Sequence, residues 1–220
     1  MLTATRPGIV RSLAFCLFAA LAVPSLRAQA SNNTALNRQL SRIDFGVGGF
    51  GSFTKDVSGT NYLGVTLDQK TSNTVGALIQ IRYTKSPWIG GEFNYGYARY
   101  TQNFSSYITS GAQTNANEYT IGYVAHPPHQ WAGIQPFFSA GFGSTAFRPT
   151  PGGGQSLPEQ ARMTYYYSVG AEKIVLGDHF GLRAQMRETF FKAPDFGQNY
   201  LTIQQQSHTF EPGAGFFLRF

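Results

Sequence analysis

Histidine and cysteine side chains are the first candidates for chemistry in this sequence. The four histidines and the single cysteine are His126, His129, His179, His208 and Cys16. His126 and His129 flank two prolines, and no third metal ligand follows at a suitable spacing. His208 follows Ser207, but no acid stands where it would complete a Ser–His–acid triad. The sequence therefore predicts no catalytic residue, no metal site and no cofactor site, and an enzymatic role is kept only as an alternative.

Charged residues form a second candidate set, because they recur on one phase of segments whose other phase is apolar. The members of this set are Asp44, Arg82, Glu92, Glu118, Glu172, Arg183, Arg187, Glu211 and Arg219. Five acids and four bases sharing one buried face would have to pair, since an isolated buried ion costs several kcal/mol. These residues are therefore expected to form ion pairs in the interior of the fold.

Folding the chain about its turns predicts which of these charges pair. The four predicted pairs, all between neighbouring strands, are Glu172–Arg183, Arg187–Glu211, Arg82–Glu92 on a diagonal, and Asp44–Arg219 after the sheet closes. Arginine and a carboxylate can make two parallel hydrogen bonds, which makes such pairs specific. Glu118 has no predicted partner.

Eight segments with period-two alternation must position these side chains. Their predicted bounds are 42–54, 73–84, 88–100, 116–126, 134–146, 162–174, 180–190 and 208–220. Each is long enough for a tilted transmembrane strand, which needs about 9–11 residues. The connections between them hold 18, 3, 15, 7, 15, 5 and 17 residues. This alternation of long and short predicts an up-and-down barrel with tight turns at one end and long loops at the other.

The second phase of the alternation is apolar. In the second segment it consists of Val75, Ala77, Ile79, Ile81 and Tyr83. Only Arg99, Lys173 and Glu188 interrupt this phase, and all three lie near predicted strand ends. A soluble barrel of the lipocalin type is the alternative, but it would turn the aromatic phase toward water as a large apolar patch. The pattern favours an apolar face turned toward lipid.

The first 30 residues resemble a secretory signal peptide. Arg6 and Arg11 precede a short apolar run over residues 12–23, and Ala28-Gln29-Ala30 fits a cleavage site. We expect residues 1–30 to be removed, residues 31–41 to form a short periplasmic segment, and residues 42–220 to form the barrel. Because three of the basic residues and none of the acids lie in the signal, its removal lowers the formal charge from +6 to +3.

The composition favours a membrane and argues against nucleic acid. Charged residues make up 13% of the chain, against about 25% in soluble proteins. Beyond the signal no apolar stretch reaches the length of a membrane helix, so a membrane protein of this kind must be a closed barrel. No cluster of basic residues is present, and a nucleic-acid partner is not expected.

The C-terminal segment Pro212–Phe220 carries apolar residues at every second position back from its terminal phenylalanine. With the eight-strand plan and the signal peptide, it resembles the small OmpA/OmpX-like outer-membrane barrels of Gram-negative bacteria. The resemblance covers the whole chain after residue 30. It implies an all-β, eight-stranded antiparallel transmembrane barrel in outer-membrane lipid, with both termini in the periplasm. It further implies that Phe216, Leu218 and Phe220 are an assembly signal for the barrel-insertion machinery. Larger relatives carry a periplasmic peptidoglycan-binding domain, which is not expected here.

Three functions are compatible with this fold. An eight-stranded barrel has an interior that side chains can fill, which favours a structural or surface-interaction role through the extracellular loops, whose ligand the sequence does not identify. Inward-facing glycines leave room for the alternative, a narrow porin-like channel for small solutes. A lipid-modifying enzyme of the outer membrane is the third.

Overall fold

A computed structural model describes residues 38–105 and 108–220. The predicted signal peptide and most of the predicted periplasmic segment lie outside the described residues. The chain divides into two units, residues 1–41 and residues 42–220. Of the first unit, residues 38–40 form a single helical turn.

Ten strands form the second unit. They are β1 (Ile43–Thr54), β2 (Val57–Thr60), β3 (Thr66–Thr71), β4 (Thr74–Thr84), β5 (Ile89–Phe104), β6 (Ile108–Ala125), β7 (Ile134–Pro149), β8 (Gln160–Leu176), β9 (Phe180–Lys192) and β10 (Gln206–Arg219). All pairings are antiparallel, and eight strands close into a ring in the order β1-β4-β5-β6-β7-β8-β9-β10. The predicted eight-stranded antiparallel barrel is therefore confirmed.

The two additional strands lie in the first long connection, for which the sequence predicts only a long loop and no strands. In the structure, β2 and β3 form a hairpin there that continues β1 and β4. Residues Gln69–Thr71 pair with the end of β5. Strands β5 and β6 also run beyond their predicted bounds, so the sheet extends past the membrane band at this end. We call it the loop end, and the end with the short turns the turn end.

The two phases of each strand have opposite chemistry. On the outward phase, large apolar side chains are exposed, as Val75 (80%) and Tyr123 (74%) illustrate. On the inward phase, polar and charged side chains are buried, among them Arg82 (1%) and Arg187 (2%). Because this distribution is the reverse of a soluble barrel, the lipocalin-type alternative is wrong. Among the described residues, no helix is long and apolar enough to cross a membrane.

Candidate functional site

Three arginines and three acids meet in the lumen near the turn end. The acid at their centre is Glu172 on β8, whose Oε2 accepts hydrogen bonds from Arg183 Nη2 (2.9 Å) and Arg82 Nη1 (3.3 Å). Its Oε1 accepts one from Arg219 Nη2 at 3.3 Å. His126 Nε2 lies 3.6 Å from the same Oε1. Since β4 and β8 are opposite each other in the ring, the Arg82–Glu172 contact crosses the full width of the lumen.

Asp44 and Glu92 complete this turn-end cluster. Glu92 Oε2 accepts a hydrogen bond of 2.7 Å from Arg82, and Asp44 Oδ1 accepts one of 2.9 Å from Arg183. With Arg219 and Glu172, the cluster balances three positive against three negative side chains. The Tyr166 hydroxyl on β8 also donates to Glu92 Oε1 at 2.8 Å, which adds a second contact across the lumen.

The observed partners differ in part from those that the strand register predicts. Glu172 lies opposite Arg183 and contacts it, as the register requires. Arg82 lies directly opposite Glu92 rather than diagonal to it. Asp44 does lie opposite Arg219, but its carboxylate pairs with Arg183 instead. The reason is that side chains in a narrow lumen reach strands other than their direct neighbours.

A second cluster lies nearer the loop end and surrounds Arg187 of β9. Its guanidinium donates to Glu211 Oε2 of β10 at 2.7 Å. It also donates to Glu118 of β6, an acid for which the sequence predicts no partner. Glu118 lies three strands away around the ring, so no turn in the sequence brings it to Arg187. This Arg187 cluster holds two acids for one base.

Aromatic rings fill the space that the inward glycines leave. A Cβ atom at Gly170 would collide with the ring of Phe137, and one at Gly181 with the ring of Phe217. Both rings are fully buried, and Arg82 Cζ lies 4.2 Å from the centre of the Phe137 ring. At these two positions the glycines therefore make room for bulky neighbouring rings.

The connection between β9 and β10 folds inward and closes the loop end. We call residues 193–205 the loop plug. Its Phe196, Leu201 and Ile203 are at most 3% exposed and pack with apolar side chains of the barrel wall. Phe196, for example, contacts Phe104 edge to face, with 6.4 Å between ring centres. The sequence predicts only a long extracellular loop here. The three apolar residues do not recur at the spacing of a strand or a helix, so no packed element could be recognised.

One carboxylate fixes the loop plug to the wall. Asp195 Oδ1 lies 2.7 Å from Gln160 Nε2 and 2.8 Å from Arg162 Nη2, and its Oδ2 accepts a bond from Thr202 at 3.1 Å. Burial raises the pKa of Asp195, but the hydrogen bonds from Gln160, from the amide of Gly197 and from Thr202, with the Arg162 charge, hold it below its usual value. Asp195 is therefore ionised at neutral pH.

The described part of the lumen contains small cavities. One of about 20 Å³ lies beside the two acids of the Arg187 cluster and is lined by Phe50, Tyr100, Glu118 and Glu211, among others. Another, also about 20 Å³, lies beside the seam of β1 and β10. Each has room for about one water molecule.

One acid on the outward phase has partners that the sequence does not reveal. Glu188 is only 7% exposed. It accepts a hydrogen bond from Tyr167, and His208 Nδ1 lies 3.3 Å from its Oε1. His208 therefore does have an acid beside it, contrary to expectation. Ser207 is buried on the opposite face of β10 and cannot complete a triad with them. In the described part of the chain, no three potential ligands are grouped for a metal ion.

The predicted assembly residues lie on the outward face of the last strand. Phe216 is 46% exposed and Phe220 36% exposed. Leu218 pairs with Phe45 of β1, and the amide of Phe220 donates to the carbonyl of Ile43 at 3.3 Å. The strand that carries them thus forms one side of the closing seam of the barrel.

Comparison with known proteins agrees with this geometry. The family model of the outer membrane protein beta-barrel domain matches residues 13–216. The outer membrane protein OprG from Pseudomonas aeruginosa is similar in structure, with a TM-score of 0.55 and 13% identity over 80% of this chain and 95% of that chain. Neisserial surface protein A gives a TM-score of 0.52 and 15% identity over 80% of this chain and 97% of that chain. At such identities these likenesses show the fold alone, and no curated protein matches the sequence. The match over nearly the whole chain shows that this protein belongs to the outer membrane beta-barrel family and lies in outer-membrane lipid.

Proposed function

We propose that this protein is a non-conducting barrel that presents its loop end as an interaction surface. The observation that carries the proposal is that the lumen is closed twice in series. The turn-end cluster links opposite walls through the contact between Arg82 and Glu172. The loop plug seals the other end with fully buried Phe196 and Leu201. A solute would have to displace both barriers, which supports the interaction role over transport.

The ordered loop end supports the second half of the proposal. The hairpin of β2 and β3 and the extensions of β5 and β6 hold backbone geometry beyond the membrane band. A rigid surface loses less conformational entropy when it binds a partner than mobile loops do. We propose that this end faces the cell exterior and that both termini are periplasmic, because long loops are extracellular in such barrels.

Electrical measurement on a planar bilayer tests the closed lumen. We expect the purified, refolded protein to insert without giving discrete conductance steps at either polarity, since both barriers would have to open together. Insertion should be verified in parallel with vesicles of the same lipid, from which the protein should be recovered in folded form. Reproducible steps in the unaltered protein would contradict the proposal and favour the narrow-channel alternative.

The C-terminal strand is proposed to be read by the barrel-insertion machinery. Deleting Phe220 should lower the amount of barrel assembled in cells several-fold while leaving refolding in detergent nearly unchanged. The reason is that this residue contributes a partly exposed ring and one backbone hydrogen bond to the seam. Assembly is measured in isolated outer membranes, and folding by the mobility shift on heating.

The matched control for this deletion is Phe53→Ala. Phe53 is another outward aromatic residue and is 46% exposed. It lies near the end of β1, whereas Phe220 contacts the start of β1. We expect this variant to assemble normally. Equal assembly of both variants would show that the terminal phenylalanine carries no assembly information.

A further inference from the structure

Three polar residues form a row on the outward face at the loop end. Arg99 of β5 pairs with Asn115 of β6, which pairs with Arg148 of β7. With neighbouring strands about 4.8 Å apart, the two arginines start about 10 Å from each other. Tyr97 and Tyr95 lie below Arg99 on the same outward phase of β5. Because aromatic residues mark the edge of the apolar band, the row stands where lipid headgroups begin.

A concavity opens beside this row. Its volume is about 580 Å³, and it is lined by Arg99, Thr101, Gln113, Asn115 and residues 150–153. The loop that forms its outer wall is fixed to β6 by Gln113. The amide of Thr150 donates to the Gln113 carbonyl at 2.9 Å, and the amide of Gln113 donates to the Gly153 carbonyl at 2.8 Å. The concavity is therefore a formed feature of the surface.

The charge in this concavity is positive. Asn115 Oδ1 accepts hydrogen bonds from Arg99 Nε at 2.7 Å and from the Tyr97 hydroxyl at 3.1 Å, so a neutral side chain orients the guanidinium. No acid of the described chain pairs with Arg99. Arg148 does pair with Glu159 at 2.8 Å, with both side chains more than half exposed. Asn115 thus fixes the orientation of the Arg99 guanidinium, and its positive charge can interact with a ligand.

We propose that this concavity binds a phosphate group of an outer-leaflet lipid headgroup. A guanidinium is suited to two parallel hydrogen bonds with phosphate oxygens. Thr101, Thr150 and Gln113 place neutral polar groups around the same space. The outward position at the edge of the aromatic band lets a ligand stay anchored in the membrane while its phosphate reaches Arg99. The inference rests on the proposed orientation with the loop end at the cell surface.

Lipid binding to the refolded full-length barrel tests the site. Native mass spectrometry in neutral detergent would compare three probes, which are diphosphorylated lipid A, the same lipid without its phosphates, and inorganic phosphate. We expect only the phosphorylated lipid to bind, and Arg99→Gln to weaken that binding about tenfold or more through loss of charge-assisted bonds. The matched control is Lys173→Gln, which removes an exposed outward cation at the turn end and should leave binding unchanged.

Each other result would overturn the proposal. If both substitutions weakened lipid binding equally, the lipid would be attracted to any surface cation and not to a specific site. If the dephosphorylated lipid bound equally well, the phosphate would not be the group that the site recognises. Competition by inorganic phosphate at similar concentration would assign the site to a free anion. The orientation is tested separately by labelling Ser156→Cys in intact cells with an impermeant maleimide. Labelling combined with an insensitive Arg99→Gln variant would refute the lipid site alone, whereas labelling only after lysis would refute the orientation and the site together.

Discussion

Replacing Glu172 by glutamine is expected to lower the free energy of unfolding of the barrel by about 3–5 kcal/mol. The substitution keeps the shape of the side chain but leaves the turn-end cluster with one positive charge in excess, and breaking a buried ion pair typically costs this much. Arg183→Met should lower the free energy of unfolding by a similar amount. It removes the cation that Asp44 and Glu172 share and leaves the two carboxylates to repel each other. Urea unfolding of both single variants and the double variant measures the coupling between the two side chains.

We expect a coupling above about 1 kcal/mol, but below the cost of either single substitution. Glu172 retains Arg82 and Arg219 when Arg183 is lost, so part of its stabilisation survives. The same cycle on Arg148 and Glu159 is the control, because their ion pair has nearly the same length but is more than half exposed. An exposed pair contributes about 0–1 kcal/mol. Equal coupling in the two cycles would mean that the lumen is well hydrated, which would favour the channel alternative.

Replacing Phe196 by alanine is expected to release the loop plug from the barrel. Phe196 is fully buried, and removing such a ring costs about 3–5 kcal/mol. If the substitution lowers the free energy of local plug opening by this amount, the population of the open form rises by about a hundredfold or more. Limited proteolysis of residues 193–205 under native conditions measures that population. Leu63→Ala is the control, because Leu63 is 60% exposed at the same end of the barrel.

The plug should also depend on pH in one direction. Because the folded-state pKa of Asp195 is depressed, its contribution is fully present above the ordinary pKa of about 3.9. It is lost as the pH falls through the lower folded value. Asp195→Asn should therefore raise the cleavage rate at pH 7 and converge with the unaltered protein in strong acid. A plug that opens near pH 6, or that ignores this substitution, would contradict the assigned role of Asp195.

The membrane-spanning strands were predictable because one physical requirement dominates them. Lipid outside and packed polar groups inside force a period of two, and β1, β4 and β9 begin within one residue of their predicted starts. Beyond the membrane band the outer face of the sheet meets water instead of lipid, so the apolar outward phase that marks a strand in the sequence disappears, although inward side chains such as Leu67 and Phe104 remain buried. The hairpin of β2 and β3 has no such pattern, so its strands could not be recognised from composition.

The lumen was predictable only as far as neighbouring strands determine it. A turn places Glu172 opposite Arg183 by counting residues, and that requires no knowledge of the barrel diameter. The contact of Arg187 with Glu118 depends on how far two side chains reach across the closed ring. Such contacts are properties of the assembled cylinder.

The seam between the first and last strands has a consequence for the order of folding. Asp44 pairs with Arg219 across the seam and forms its ion pair with Arg183, which lies 139 positions further along the chain. In a sheet with all its strands paired but the seam still open, Asp44 would lie on the β1 edge and Arg183 on β9, next to the opposite edge. Pairing over such sequence separations is slow, because the chain loses conformational entropy before the stabilising contacts form. We therefore expect the ion pair of Asp44 to form late, when the barrel closes, whereas pairs between neighbouring strands such as Arg82 with Glu92 can form before closure.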